Sequence, residues 1–211
     1  MDNRQFMRFS QLLVTTICHD LAGPLGGISN GVEFLQETSE NPVGLSQSLD
    51  LLALSSREAS FKLQFFRIAY GIIYDESQMV DITEIQSLVD KFFMEKRITL
   101  GWHIPGAITH IDHPSRQLLV NMILLMGKLL QEQGTIDVLL YPSEGKSRME
   151  VRGRMPVMKV NEKLLAMLKN ENAMRDVAID TVHPVFIRLL AHTHNRNLQV
   201  GIQPGVLTLH A

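Results

Sequence analysis

Apolar residues recur every three or four positions through the first third of the chain. Phe6, Phe9, Leu13, Ile17, Leu21, Leu25, Ile28, Val32 and Leu35 keep this step and predict one long amphipathic helix. Thr38, Ser39, Asn41, Pro42 and Gly44 then supply turn chemistry, short enough to join antiparallel helices. The second pattern is stricter: Leu45, Leu49, Leu52, Ser56, Ala59, Leu63, Phe66, Tyr70 and Ile73 alternate steps of four and three. Such a seam predicts a helix packed in a bundle, with Ser56 and Ala59 as close-approach positions. A hairpin of two such helices has more apolar surface than it can hide against itself. A homodimer that completes a four-helix bundle resolves this, and so does packing against the chain's own C-terminal half.

Beyond Gly71 the periods shorten. A helix is expected over Thr83 to Met94, a strand over Arg97 to Ile104, and a buried helix over Ser115 to Gln131 carrying Leu118, Leu119, Met122, Ile123, Leu125, Met126 and Leu129. Gly134 to Tyr141 and Ser147 to Arg154 predict a hairpin that turns at Pro142, Ser143, Glu144 and Gly145. Short helices over Asn161 to Lys169 and His183 to His194 follow, then a closing hairpin of Asn197 to Gln203 and Gly205 to His210 around Pro204. Helices interleaved with antiparallel strands give an α+β fold whose second half is a two-layer sandwich. The boundary is expected between Ile73 and Met79, with a helical domain over 1–76 and an α/β domain over 77–211.

Composition narrows the classes. The 211 residues are 45% apolar, enough for one or two domains with real cores. The start of the chain lacks a signal-peptide pattern and no apolar run spans a bilayer, so a cytoplasmic protein with no membrane contact is expected. A single cysteine, Cys18, excludes an internal disulfide. A formal charge of −2 with few aromatic residues argues against nucleic acid as a partner.

Within the first helix, His19-Asp20-Leu21-Ala22-Gly23-Pro24-Leu25-Gly26-Gly27 opposes stability, because an interior glycine costs about 1 kcal/mol and proline about 3. His19 lies two residues from both Ile17 and Leu21, about 200° around the helix from each, and so faces solvent when they face the core. The same arithmetic puts Gly23, Gly26 and Asn30 within about 40° of His19. The imidazole therefore overlooks a lane almost free of side chains, open to another protein's backbone or helix. Pro24 and Gly27 weaken the helix there. Close packing of the glycines against the second helix, with His19 an ordinary surface residue, is the plainer reading of residue type alone.

The heptapeptide HDLAGPL resembles the H-box that opens the dimerisation helix of two-component histidine kinases. The long hairpin, the segment LQFFRIAYG that closes its second helix, and an α/β half in the position of a kinase ATPase domain together resemble the ChpT-type histidine phosphotransferases of phosphorelays. That resemblance implies a Bergerat-like second domain and His19 as phospho-acceptor. It also implies Asp20 as a residue that orients the ring or accepts a proton, and a receiver-docking surface containing Gly23, Gly26, Gly27, Asn30 and Arg67. From spacing alone Asp20 is equally a solvated acid or a helix-pairing partner. Implied partners are response-regulator receiver domains, one on a hybrid kinase upstream and a CtrA-like regulator downstream.

The departures from a kinase concern nucleotide. The helix LLVNMILLMGKLL keeps Asn121, where a kinase holds Mg²⁺, but Leu125 stands where a second asparagine would fall. No DxGxG occurs between Arg154 and His183, and His183-Pro184-Val185 replaces a glycine-rich phosphate turn. An ATPase-like domain that no longer binds ATP follows, with no cofactor on this chain and Mg²⁺ supplied by the receiver's acidic pocket. Gly23 replaces the threonine or asparagine associated with kinase phosphatase activity. A noncatalytic receiver-binding adaptor and a divergent histidine kinase are the competing functions.

Other residues have plain explanations. Cys18 reads as a small helix residue. His103, His110 and His113 lack a zinc-site register, His192 and His194 fall on opposing sides of a helix, and Met122 and Met126 fill a core. Arg57, Lys62 and Arg67 form either a basic rim for an acidic receiver or a solvated helix face.

Overall fold

Asp2 caps the first helix, its side chain accepting from the Gln5 N–H at 2.8 Å while the Gln5 side chain accepts from the Asp2 N–H at 3.1 Å. That capping box starts α1 at Asn3, ahead of the first periodic apolar residue, and the helix runs Asn3–Glu37 through Pro24. The computed structural model describes residues 2–38, 41–94, 96–143, 147–155, 161–169 and 176–211. Asn41 caps α2 (Pro42–Tyr70), with Pro42 in its first turn. Then follow β1 (Met79–Asp81), α3 (Ile82–Phe93), β2 (Arg97–His103), β3 (His110–Asp112), α4 (His113–Leu129), β4 (Gln133–Tyr141), β5 (Arg148–Arg154), α5 (Glu162–Lys169), α6 (Val182–Thr193), β6 (Gln199–Gln203) and β7 (Val206–His210). Part of the turn expected at Pro142 to Gly145, and the expected breaker residue Ser39, lie outside the described residues.

The expected α+β sandwich is present, with differences that have physical causes. The main sheet has the order β2-β4-β5-β7-β6. Its β2–β4 pair is parallel, where antiparallel strands were expected, because α4 carries the chain from one end of the sheet back to the other. The other pairs are antiparallel. Two three-residue strands, β1 and β3, pair with each other and escaped the sequence reading because three residues carry no measurable alternation. α4 begins two residues early, since Asp112 accepts from the Ser115 N–H at 2.6 Å and Pro114 suits the first turn.

α4 is buried on every side, 14 of its 17 residues included, because the sheet packs on one face and the hairpin's end on another. Phe65, Phe66 and Ala69 of α2 enter the same core, and Phe65 stacks on Phe92 at 4.2 Å. At the same open end of the hairpin, Phe9 packs with Val177, Val182 and Val185 beside α6. The seam read along α2 divides. Phe66 is buried, but Leu49 and Leu63 are about half exposed, and the close-approach positions are Ser48 and Ser55, not Ser56 and Ala59. In α1 likewise, Leu25 and Val32 are exposed while Pro24 and Gly31 are buried. Small residues bring the two helices together, and a second, larger apolar stripe faces away from them.

Buried polar side chains of α4 complete the end of α2. Asn121 Nδ2 donates to the carbonyl of Ala69 at 2.7 Å and to that of Gln117 at 2.8 Å, and Gln117 Nε2 donates to the Gly71 carbonyl at 2.8 Å. Carbonyls in the last turn of a helix lack helical donors, so these bonds satisfy groups that burial would otherwise strand. Asn121 Oδ1 accepts from His183 Nε2 at 3.0 Å, which places a ring proton on Nε2. His183 Nδ1 finds no partner among the described residues, and burial, helped by the charge of Lys128, holds its pKa well below the ordinary histidine value.

Unfolded, His183 titrates near pH 6.5, so below that pH the unfolded chain binds a proton that the fold refuses. Its contribution to stability is complete above about pH 6.5 and declines as pH falls, by about 1.4 kcal/mol per unit at most. Unfolding by urea at pH 7, 6 and 5 is expected to show wild type losing more stability than His183→Gln, which keeps a donor for Asn121; parallel curves refute the coupling.

Candidate functional site

The His19 side chain is 82% exposed on α1, as the helical arithmetic requires. Its Nδ1 lies 3.5 Å from Asp20 Oδ1, and the rest of the ring is open to solvent. Such a ring has the form of a nucleophile that an outside group reaches without any lid moving.

The lane beside it is real, and narrower than the residue types imply. A Cβ added at Gly23 or Gly26 meets nothing within 4 Å, and Asn30 is exposed. Gly27, expected in the docking set, turns instead toward α2, where a Cβ would collide with Ser55. Gly31 packs in the same way: an added Cβ there would lie 2.8 Å from Leu52 Cγ. Both explanations of the glycines hold, for different glycines: two leave a surface open and two let the helices close.

Below His19, Asp20 lines a cleft of about 140 Å³ with Lys62, Phe66, Phe92, Lys96 and Lys128. Lys62 Nζ donates to the Asp20 carbonyl oxygen at 3.2 Å and pairs with Glu58 at 2.7 Å. Lys96 pairs with Glu132 and lies 5.3 Å from the centre of the Phe92 ring. Burial lowers the pKa of Lys128, and the Asp20 charge opposes that shift. Of the three basic positions read along α2, Arg57 and Arg67 are exposed, whereas Lys62 is turned toward α1. Lys62, expected in either a basic rim or a solvated helix face, is in neither, and Lys128 went unremarked because its place in a buried helix hid its nearness to Asp20.

The remaining histidines are dispersed. His103 pairs with Asp137 at 3.1 Å on the open face of the sheet, His110 contacts Thr109, His192 is exposed and His194 buried. Among the described residues no three His, Cys, Asp or Glu side chains are grouped to hold a metal ion. Cys18 is exposed, and Met122 and Met126 are core residues. Parts of the stretch without a glycine-rich loop, 156–160 and 170–175, lie outside the described residues. Among the described residues no helix is long and apolar enough to cross a membrane.

Comparison with known proteins agrees with this layout. The family described as the histidine phosphotransferase C-terminal domain matches residues 82–205. The protein phosphotransferase ChpT of Brucella abortus (strain 2308) is 28% identical over 191 residues, 90% of this chain and 88% of that protein. The solved structure of a bacterial phosphotransferase superposes with a TM-score of 0.76 at 24% identity, covering 97% of this chain and 95% of that one. A histidine kinase, ThkA, solved in complex with the response regulator protein TrrA, gives a TM-score of 0.50 at 14% identity over 98% of this chain and 62% of that one.

Neighbouring glycines are expected to respond with opposite signs. Gly26→Ala, in open space, raises stability by about 1 kcal/mol through helix propensity, while Gly27→Ala lowers it by about 1 kcal/mol or more through overpacking at Ser55. Urea unfolding of the two variants decides, and two shifts of the same sign contradict the division of the lane.

Proposed function

Because this chain belongs to the histidine phosphotransferase family, we propose that His19 takes a phosphoryl group from the aspartate of one response-regulator receiver and passes it to a second receiver. The observation that carries this reading is the exposed imidazole, its Nδ1 against Asp20 and its Nε2 free, beside the open lane of Gly23, Gly26 and Asn30. Nε2 attacks phosphorus as the bond to the aspartyl oxygen breaks and the carboxylate leaves; the reverse step on another aspartate empties the histidine. Asp20 holds the proton on Nδ1 and balances the charge the ring acquires. Mg²⁺, brought by the receiver's acidic pocket, neutralises the group in transfer. The upstream receiver belongs to a hybrid kinase and the downstream one to a CtrA-like regulator.

The fate of Asn121 supports a relay that does not use ATP. Its amide group is engaged on both atoms and has no exposure, so the side chain that a kinase turns toward Mg²⁺ here ties α2 to α6. The outward stripe of Leu25, Val32, Leu49, Leu54 and Leu63 supports a homodimer in which two hairpins form a four-helix bundle.

Incubation with a phosphorylated receiver is expected to label the protein in an acid-labile, base-stable linkage, and His19→Gln to abolish the label. Receiver binding without any label indicates an adaptor; label that survives His19→Gln refutes the acceptor. Titration with ATP and Mg²⁺ is expected to give no heat, and sedimentation a mass twice that of the chain. Heat of binding contradicts the loss of nucleotide, and a single-chain mass contradicts the dimer.

A further inference from the structure

In an α-helix the carbonyl of residue 20 accepts a hydrogen bond from the N–H of residue 24. Residue 24 is Pro24, which has no N–H, and a proline ring crowds the carbonyl four positions before it. Asp20, immediately after the proposed acceptor, therefore presents a carbonyl oxygen that its own helix does not satisfy. The structure supplies the missing donor from elsewhere: Lys62 Nζ, 42 residues on, bonds that oxygen at 3.2 Å. The lysine is fixed for the purpose, paired with Glu58 one turn back at 2.7 Å and only 26% exposed. A charged donor on a half-buried carbonyl is stronger than the amide bond it replaces.

We propose that Lys62 is a positioning residue for phosphotransfer, holding the Asp20 carbonyl that Pro24 leaves unbonded and thereby fixing the direction of the His19 imidazole. The proposal rests on His19 being the acceptor. The carbonyl that Lys62 holds belongs to Asp20, the residue that follows His19 directly and carries the carboxylate that faces Nδ1. Loosened, it leaves the ring on the same surface but spreads its orientation, and transfer to a docked receiver depends steeply on orientation. Lys62 is thus set apart from Arg57 and Arg67, which extend into solvent and have no such bond to α1. The proline and the lysine act as a pair: one opens the helix at the catalytic turn and the other closes it with a bond across the hairpin.

The test is a double-mutant cycle on the intact protein, read by single-turnover transfer from a phosphorylated receiver at varied receiver concentration. Lys62→Met is expected to slow transfer at saturating receiver by about tenfold, with the half-saturating concentration unchanged, and Lys62→Arg to recover most of the rate. Pro24→Ala restores the N–H, so in that background Lys62→Met is expected to change the rate by less than about twofold. An equal loss in both backgrounds, or a rise in half-saturating concentration at unchanged maximal rate, overturns the proposal; the latter assigns Lys62 to docking. The carbonyl ¹³C resonance of Asp20 reads the contact without any phosphoryl group: Lys62→Met moves it upfield with Pro24 present and leaves it in place with Pro24→Ala. No movement in either background also overturns the proposal. Loss of label in His19→Gln tests the acceptor separately, so each failure is recognisable for what it is.

Discussion

The amide of Asn121 is the point on which the rest of the architecture turns. It sits in the middle of a helix buried on all sides, where an unsatisfied polar group costs several kcal/mol, and both its amide hydrogens and its oxygen are engaged. Two of the three partners are in other elements: the last turn of α2 and the first residues of α6. One side chain therefore fixes where the long hairpin ends relative to the α/β half, and the apolar residues of LQFFRIAYG complete the join. Phe65 and Phe66 enter the core from α2, and the carbonyls of Ala69 and Gly71 that follow them are received by Asn121 and Gln117. The hairpin is thus an arm rooted in the second half of the chain, with His19 placed on its outer surface.

That root is closed by protein on every side of Asn121. His183 stands at the start of the last helix, and its neutral ring packs beside Tyr70 and reaches Asn121. Burial pushes the Tyr70 hydroxyl pKa far up, so this corner stays uncharged at ordinary pH.

Around His19 the constraint is of another kind. The turn is made of residues that a stable helix avoids, and the structure recovers order by long-range contacts. Gly27 and Gly31 admit Ser55 and Leu52 from α2, and Lys62 answers the carbonyl opposite Pro24. The face left bare, Gly23 and Gly26, is the one with no neighbour to compensate it. Helix stability is lowered on the bare face and restored on the side turned toward α2.

Much of this was legible along the chain, because helical and strand periods are local. Residue spacing alone determined the hairpin, the succession of short elements after Gly71, the buried character of α4 and the outward direction of His19, and the H-box resemblance gave that direction a meaning. Spacing did not decide which apolar stripe of α2 turns inward, since both have a helical period and only packing chooses between small and large residues. Nor did it decide that β2 and β4 run parallel, that Gly27 belongs to the hairpin's interior, or that Asn121 is spoken for by His183 and Lys62 by Asp20. These last contacts join residues 62 and 42 positions apart, and a hydrogen bond between two side chains or a side chain and a distant carbonyl leaves no period behind it. The sequence determined what each segment is; the tertiary structure decided which polar groups the segments satisfy in one another.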